Sequence, residues 1–243
     1  IDHVDGTSVF VKVLSDGARG PDMHADTIAI WEASSAGRVA FAAAPPIRWD
    51  DRTNAHWQGT VPGVLATGVL FSREGASLAR AMGSAAGSIT TSSIVPTQRA
   101  GRDRQTRRST KYAGKIASLF PDLRPQLDEL LARLATMHAG DTDDRLRPIH
   151  GAPHPHQWLL DGDRLGLVDF DGLALGPPEL DVATFIAEME YENAAVMPVA
   201  EIVAGFREGY ESAAGPLDDE VLAAYVAHKR LAKALRNAQA VRP

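Results

Sequence analysis

Histidine, glutamine and aspartate side chains that could support metal-dependent chemistry lie between residues 147 and 183. Asp169 directly follows the apolar run 165–168, so its carboxylate is expected at the end of a strand. Gln157 carries an amide oxygen in the loop before this run. Carboxylate and amide oxygens are hard donors of the kind that magnesium binds, together with phosphate oxygens and water. These donors are therefore suited to magnesium, and magnesium with correctly held phosphates supplies most of what phosphoryl transfer needs.

The same stretch resembles the catalytic core of aminoglycoside phosphotransferase-like kinases, the family type that also contains choline kinases. That family has a loop of the form H-x-D-x-x-x-x-N, followed by a short hairpin and then by I-D-F or I-D-W. His150 matches the first histidine, Gln157 stands at the asparagine position that binds metal, and Asp169 of the Val-Asp-Phe segment matches the metal-binding aspartate. Several matches in the same order are more specific than any single short motif.

A second part of the resemblance lies in residues 176–183, GPPELDVA, which are similar to the family segment G-D-P-x-x-D-L-A. The second aspartate of that segment braces the catalytic loop, so the resemblance assigns this supporting role to Asp181. It also implies a bilobal, protein-kinase-like α+β fold, with ATP or GTP and Mg²⁺ as cofactors and a small hydroxylated molecule as acceptor. The implied N-lobe, small and β-rich, spans residues 1–63. The implied C-lobe, mainly helical, spans residues 64–243, with a catalytic-type loop at 150–157 and a metal segment at 168–171.

Ala152 departs from the family pattern, because the family has there the aspartate that accepts the substrate proton. A methyl group neither accepts a proton nor orients a hydroxyl. General-base catalysis contributes roughly 10²–10⁴-fold to a rate, so its loss predicts slow or absent phosphoryl transfer. His154 and His156 follow in the same loop, and either is a candidate for a substitute base.

The histidines at 150, 154 and 156 also allow a zinc hypothesis. Pro153 and Pro155 exclude the regular helix that would stack two of these histidines on one face. The chain has no cysteine to complete a thiolate site. We therefore favour a buried loop anchor for His150 and a place in the cleft for the other two.

Lys12 lies in an alternating apolar run, Val9 to Val13, which is typical of a strand. Residues 1–4 and 8–14 flank the turn signal Asp5-Gly6-Thr7 and predict a hairpin. With the downstream motif, Lys12 resembles the strand lysine that binds nucleotide phosphates in kinases. Kinases place a glycine-rich hairpin before this strand, so we expect the first strand of the N-lobe to be missing from this sequence.

A helix is predicted from Asp22 to Ala36, with Pro21 and Asp22 as its start signal. In the family such a helix carries the acid that pairs with the strand lysine. Asp26 and Glu32 are both candidates, but they differ by about 240° around a helix, so only one can face Lys12. The spacing favours Asp26.

Gln58 belongs to a stretch, residues 55–63, that resembles the linker between kinase lobes, where the backbone meets the adenine ring. An acid often precedes the turn of that linker, and Gln58 takes its place here. An ordinary strand and loop would fit the same residues.

The remainder of the chain is predicted to be mostly helical. Residues 83–98 are small and polar and residues 99–111 are basic, which together predict a flexible, solvated insert. A leucine stripe predicts a helix within 119–138, and three further helices are expected at 182–191, 198–213 and 218–240. Glu188, Glu190 and Glu192 fit either a cleft for a cationic substrate or, preferably, a solvated face.

Composition favours a cytoplasmic protein of bacterial type. The 243 residues are 44% hydrophobic and carry a net charge of −6, which gives no general signature of nucleic-acid binding. No apolar run approaches the roughly 18 residues of a membrane-spanning helix, and no signal-peptide pattern opens the chain.

The sequence leaves three functions open. The first is ATP- or GTP-dependent phosphoryl transfer to a small-molecule hydroxyl, slow or atypical because the base is missing. The second is a pseudokinase that binds a nucleotide or other ligand without turnover. The third is a kinase fold that transfers a different part of the nucleotide. Lys12, Asp169 and Asp181 are expected to serve nucleotide and metal binding in all three.

Overall fold

An antiparallel three-stranded sheet carries Lys12. The computed structural model describes residues 8–15, 17–138, 142–193 and 199–240, so the predicted hairpin partner at residues 1–4 lies outside the described residues. The sheet has the order β1-β3-β2, formed by β1 (Phe10–Val13), β2 (Pro46–Asp50) and β3 (Ala55–Gln58). Lys12 of β1 is paired in register with His56 of β3.

Helix α1 (Gly20–Ser35) follows the first strand and confirms the helix predicted at 22–36. Pro21 lies in its first turn, where a missing backbone N–H costs nothing. Its buried face includes Met23, Asp26 and Ile30. A carboxylate therefore lies on the apolar side of this helix, which requires a hydrogen-bonding partner.

Two small antiparallel sheets hold the motif segments. One has the order β4-β6-β7, formed by β4 (Val64–Leu65), β6 (Trp158–Asp161) and β7 (Arg164–Leu167). The other pairs β5 (Arg147–Ile149) with β8 (Ala174–Gly176). The loop 150–157 runs from β5 to β6, and the segment 168–171 follows β7. The amide of Val168 donates to the carbonyl of Gln157 over 3.1 Å, so the two segments lie side by side.

The predicted flexible insert is wrong. Residues 83–90 belong to a helix, α3 (Gly75–Thr90), which follows the short α2 (Thr67–Leu70). Helix α3 packs against α7 (Val199–Ala214). A Cβ atom at Gly83 would lie 1.9 Å from the carbonyl oxygen of Phe206, so the small residues are required for close helix contact. The basic residues 102–111 are also helical and form the first half of α4 (Arg102–Leu119), on its mostly exposed face.

The other predicted helices are confirmed with small shifts in their ends. They are α5 (Arg124–Met137), α6 (Glu179–Asn193) and α8 (Asp219–Ala240), in addition to α7. The main core includes the fully buried Trp158, Phe185 and Tyr225. A second apolar cluster joins α4, α5 and α8. Within the described ranges, every helix is too short or too polar to span a membrane.

The architecture is therefore an α+β fold with small antiparallel sheets and a large helical part, as expected. The division at residue 63 stays a prediction. The chain does change sheets there: β3 ends at Gln58, and β4 begins at Val64. Gly63 has φ of +117°, a conformation open to glycine, and a Cβ atom there would lie 2.4 Å from the carbonyl oxygen of Leu160.

Candidate functional site

A cleft of about 470 Å³ opens between the first sheet and the two motif segments. It is lined by five of the residues proposed from the sequence, namely Lys12, Gln58, His156, Gln157 and Asp169, whereas His154 is not among its lining residues. Other lining residues were not singled out: Phe10, Thr27, His56, Thr60, Phe170 and Asp171. Its walls are largely apolar with a few polar groups at one end, which suits a small organic ligand with a charged end.

Lys12 is held between two carboxylates at the polar end of the cleft. Its Nζ lies 2.7 Å from Asp169 Oδ1 and 2.5 Å from Asp171 Oδ2. Partial burial lowers the pKa of Lys12, but the hydrogen bonds and charges of the two aspartates outweigh it and raise the pKa above its ordinary value. Burial likewise raises the pKa of Asp169, whereas Lys12 and Gln157 lower it more, so the carboxylate is ionised near neutral pH. The site thus holds two negative charges and one positive charge.

The backbone at Asp169 is in the left-handed region, with φ of 69° and ψ of 61°. This conformation is uncommon for a residue with a side chain and persists where the surrounding structure imposes it, often at functional sites. It ends the extended segment after β7 and starts the turn Phe170–Gly172. The turn brings Asp171 back toward Lys12, which explains why two aspartates two residues apart meet one ammonium group.

Gln157 links Asp169 to the catalytic-type loop. Its Nε2 donates to Asp169 Oδ2 over 3.0 Å, and its Oε1 accepts the backbone N–H of His154 over 2.8 Å. The N–H of His154 can only donate, so it fixes the orientation of the amide. The oxygen that the sequence assigned to metal therefore faces away from Asp169. In this geometry Gln157 orients Asp169 through its amide N–H, and its role as a metal ligand stays a prediction.

Asp181 braces the loop from below, in the way the resemblance implied. Its two carboxylate oxygens accept the backbone N–H groups of His150 over 2.9 Å and of Gly151 over 2.7 Å. Burial raises the pKa of Asp181 to about 7, although these N–H groups and the charge of Lys229 act in the opposite direction. Gly151 has φ of +84°, and a Cβ atom there would lie 2.1 Å from the carbonyl oxygen of Gly172. The loop thus requires glycine next to its histidine.

His150 is fully buried, and its Nε2 lies 3.2 Å from the carbonyl oxygen of Val168. Burial lowers the pKa of His150 to about 4, so the ring is neutral at pH 7. A neutral, buried ring tied to the strand end favours the loop-anchor interpretation over an acid–base role for His150.

Ala152 is partly buried, and its carbonyl accepts the backbone N–H of His154 over 2.8 Å. His154 Nδ1 lies 2.8 Å from Glu188 Oε1, and Lys233 also pairs with this carboxylate. Glu188 is buried in α6, so the preferred solvated-face interpretation is wrong for this residue. Glu190 instead forms a partly exposed pair with Arg230, and the side chain of Glu192 lies outside the described residues.

Asp26 does not pair with Lys12. Its carboxylate accepts the backbone N–H of Thr97 over 3.0 Å and the hydroxyl of Thr97 over 2.9 Å. Burial raises the pKa of Asp26, although these bonds oppose the shift. The face of α1 that carries Asp26 is directed to the segment before α4, which contains Thr97. The alternative acid, Glu32, is exposed. Asp171 takes the place that the sequence gave to Asp26 as a partner of Lys12.

Two residues of the site, Asp171 and His56, were missed from the sequence, and a third, Glu188, was assigned to a solvated face. Asp171 could have been predicted from the sequence, because it lies two residues after Asp169 and a tight turn brings such residues together. His56 lines the cleft beside Lys12, its register partner on the adjacent strand. Burial lowers the pKa of His56 to about 4. Glu188 reaches the loop only because α6 packs against it, and a single sequence carries no local signal for such a contact.

A comparison with family models matches residues 51–225 of the chain to the phosphotransferase enzyme family, APH. The chain belongs to this family. The match includes the loop 150–157, Asp169 and Asp181, whereas Lys12 and Asp26 precede it. Comparison of the sequence with curated proteins found no match.

Solved structures of kinases resemble the fold of this phosphotransferase-family protein. An aminoglycoside-3'-phosphotransferase of type VIII aligns with a TM-score of 0.64 at 20% identity, covering 93% of this chain and 86% of that chain. An aminoglycoside phosphotransferase from Streptomyces rimosus, solved with ADP and streptomycin, has a TM-score of 0.63 at 17% identity, covering 95% and 88%. A choline kinase from Streptococcus pneumoniae has a TM-score of 0.61 at 16% identity, covering 99% and 82%. The expected kinase-like bilobal fold is confirmed.

The carboxylates fit a magnesium ion. Asp169 and Asp171 already converge on one cation, the ammonium of Lys12, and both are hard oxygen donors. Within the described ranges no three or more acidic or histidine side chains form a closed metal centre. A magnesium ion here would therefore take one or two protein carboxylates and complete its shell with phosphate oxygens and water, as it commonly does beside nucleotides.

Proposed function

We propose that this phosphotransferase-family protein transfers the terminal phosphoryl group of a nucleoside triphosphate to a hydroxyl group of a small molecule. The observation that carries the proposal is the bridging position of Lys12 between Asp169 and Asp171 at the polar end of the cleft. Membership of the family supports it. The proposal places the protein in the cytoplasm, where nucleoside triphosphates are available.

Each polar residue has a separate task in this proposal. Asp169 and Asp171 hold magnesium, which neutralises the charge that develops on the phosphates. Lys12 leaves the carboxylates and binds phosphate oxygens, for which its flexible stem and point charge are suited. Gln157 keeps Asp169 oriented, and Asp181 keeps the loop in place through His150 and Gly151.

The apolar part of the cleft is suited to a nucleobase. Phe10, Val61 and Leu159 supply apolar lining, and the strand end at Gln58 offers polar groups beside it. Related folds have been solved with such ligands: the Streptomyces rimosus protein with ADP, and an amicoumacin kinase with AMP-PNP and Ca²⁺. These ligands are properties of those proteins and support nucleotide binding here.

A pseudokinase is the second candidate, and Ala152 is the observation that favours it. Without an aspartate at this position the protein would bind nucleotide and turn it over slowly or not at all. The two candidates share the cleft and differ in product formation.

Isothermal titration with ATP and GTP, each with and without Mg²⁺, tests the proposal when followed by mass spectrometry of the products. We expect magnesium-dependent binding that Asp169→Asn weakens at least tenfold, since one charge-assisted contact contributes about 1.5–3 kcal/mol, together with slow formation of the diphosphate. Saturable binding without product would favour the pseudokinase. Absence of binding to either nucleotide would contradict both.

A further inference from the structure

A histidine and a buried carboxylate pair beside the position where the family has its catalytic base. His154 Nδ1 lies 2.8 Å from Glu188 Oε1. Glu188 is buried in α6, while the side chain of His154 is 35% exposed. Apart from Glu188, the described group that contacts the ring of His154 is the backbone N–H of Gln157, in a capping contact at the turn 155–157. The ring therefore has Nδ1 directed to a carboxylate.

Glu188 is suited to fix the proton on Nδ1. Burial raises the pKa of Glu188, but hydrogen bonds from His154 and Lys233 reverse this effect and lower the pKa to about 2. The carboxylate is therefore ionised at neutral pH and accepts a proton-bearing nitrogen. The partner of one ring nitrogen sets the tautomer of the imidazole, so Nε2 carries the free lone pair.

The loop places this ring close to the missing base. His154 N donates to the carbonyl of Ala152, which closes a tight turn, and Cα atoms two residues apart are separated by at most about 7 Å. An imidazole is longer than the carboxymethyl group that the family has at 152. The backbone N–H of His154 is also bonded to Gln157, which is bonded to Asp169. His154 is thus fixed relative to the proposed metal and phosphate end of the cleft.

We propose that His154 is the general base of this protein and that Glu188 is its positioning residue. The inference rests on the proposed function and deepens it. His154 Nε2 accepts the proton of the acceptor hydroxyl while the hydroxyl oxygen forms a bond to the terminal phosphorus of the nucleoside triphosphate. The bond from that phosphorus to the bridging oxygen breaks, and its electron pair leaves with the nucleoside diphosphate. The imidazolium, stabilised by Glu188, later releases its proton to water.

Lys233 explains how Glu188 tolerates burial. Its ammonium pairs with the same carboxylate oxygen that contacts His154. A buried carboxylate without a partner would be costly, so Lys233 keeps Glu188 charged even when the imidazole is neutral. A purely structural alternative has the same contacts: Glu188 would only anchor the loop to α6. The two interpretations differ in their kinetic consequences.

Hydrolysis of MgATP, with water as the acceptor, tests the proposal without knowledge of the natural acceptor. We expect H154Q to lower kcat by about 10²–10⁴-fold, the range of general-base catalysis, with an unchanged KM for MgATP. Glutamine can still donate to Glu188 but cannot accept a proton. The double variant A152D/H154Q should recover most of the loss. E188Q should lower kcat, whereas E190Q, a glutamate on the same helix that pairs with Arg230, should not.

The pH profile and the thermal stability of the same variants separate a base from an anchor. The decline of kcat on acidification should disappear in H154Q, and all variants should melt cooperatively. If H154Q keeps the wild-type kcat while Asp169→Asn is inactive, His154 is not the base, and the proposed function stands. If wild type and A152D both fail to hydrolyse MgATP, the proposed function falls, and the histidine base falls with it.

The tautomer of His154 in the free protein gives a readout that is independent of turnover. Nitrogen-15 NMR of the wild-type histidines, assigned by the signal lost in H154Q or H154N, should show a proton on Nδ1 and none on Nε2 above neutral pH. E188Q should change this pattern. A proton on Nε2 in the wild type would overturn the proposal, even if H154Q cannot be purified folded.

Discussion

At the scale of single residues, Lys12 determines how the cleft receives a cation. Its ammonium occupies the space between Asp169 and Asp171, so magnesium alone must compete with it. A nucleotide offers Lys12 a new partner, because phosphate oxygens replace the two carboxylates. Metal and nucleotide should therefore bind together better than either binds alone.

Lys12→Met tests this competition. We expect Mg²⁺ alone to bind the variant more tightly than wild type, and MgATP to bind about 10–100-fold more weakly, since charge-assisted hydrogen bonds contribute about 1.5–3 kcal/mol. Isothermal titration with each ligand measures both effects. Lys111→Met, on the exposed face of α4, is the matched control. Equal Mg²⁺ affinity in wild type and Lys12→Met would contradict the competition.

Substitution of Gln157 distinguishes a positioning role from a metal-ligand role, because the two roles predict opposite changes in the affinity for MgATP. Its longer stem reaches Asp169 Oδ2 and the N–H of His154 together. If it acts by positioning Asp169, Gln157→Asn should lose at least one of these bonds, at about 0.5–1.5 kcal/mol each, and weaken MgATP binding several-fold. If the amide oxygen binds metal, restoring the family asparagine should strengthen binding. Titration with MgATP distinguishes the two, and a tighter complex would refute the positioning role.

At the scale of elements, the contact between α3 and α7 depends on residues without side chains. Gly83 lies against the backbone of Phe206, and Gly209 lies against that of Arg80, where a Cβ atom would be 1.9 Å from the carbonyl oxygen. Interaxial distance follows the side chains at the contact, so two helices with glycine there approach closely. Adding a methyl group must push the helices apart.

Gly83→Ala should therefore destabilise the protein, although alanine favours a helix. Overpacked cores typically lose about 1–3 kcal/mol, and a clash with backbone leaves little room to relax. Gly114→Ala is the matched control: Gly114 lies inside α4, and a methyl group added there would have no neighbour within 4 Å, so this variant should gain up to about 1 kcal/mol. Urea unfolding of both variants measures the difference. Equal stability of the two variants would contradict the packing argument.

The same contact shows where sequence reasoning failed. Residues 83–98 contain few large apolar side chains, so they resembled a flexible insert. Small residues recur every fourth position, at 83 and 87 in α3 and at 205 and 209 in α7, and residues four apart share one helix face. This spacing was the available signal of close helix packing. The helix with the leucine stripe, α5, and the strand with the alternating pattern, β1, were predicted correctly, because their signal is local.

The site was predictable only where a motif fixed both residue type and order. Lys12, Asp169 and Asp181 lie where the resemblance placed them, in the cleft or under the loop. Helix periodicity could not predict the partner of Lys12, because Asp26 instead accepts hydrogen bonds from Thr97, which lies in a distant segment. Glu188 was misassigned to a solvated face, because its burial depends on how α6 packs against the loop.

At the scale of the whole molecule, buried ionisable groups link stability to pH. Burial lowers the pKa values of His56, His150 and His228 to about 4. An unfolded histidine titrates near 6.5, so between about pH 4 and 6.5 the unfolded chain binds more protons at these sites. Burial raises the pKa of Asp181 to about 7, so the folded chain binds one more proton there over nearly the same range. The three histidines outnumber this opposing aspartate.

The free energy of unfolding should therefore decrease as the pH falls from 6.5 toward 4. Each group contributes at most about 1.4 kcal/mol per pH unit, so the net slope has an upper limit of about 3 kcal/mol per unit. Between pH 6.5 and 7 the unfolded histidines lose most of their remaining protons while folded Asp181 also titrates, so the two effects nearly cancel and the stability profile should level off. Urea unfolding at pH 7.0, 6.0 and 5.0 measures this profile. His228→Gln removes one histidine and should flatten the acidic slope, because its ring no longer has to remain neutral between Ser109 and His138. A wild-type profile that is flat or rises toward acid would show that Asp181 dominates the titration.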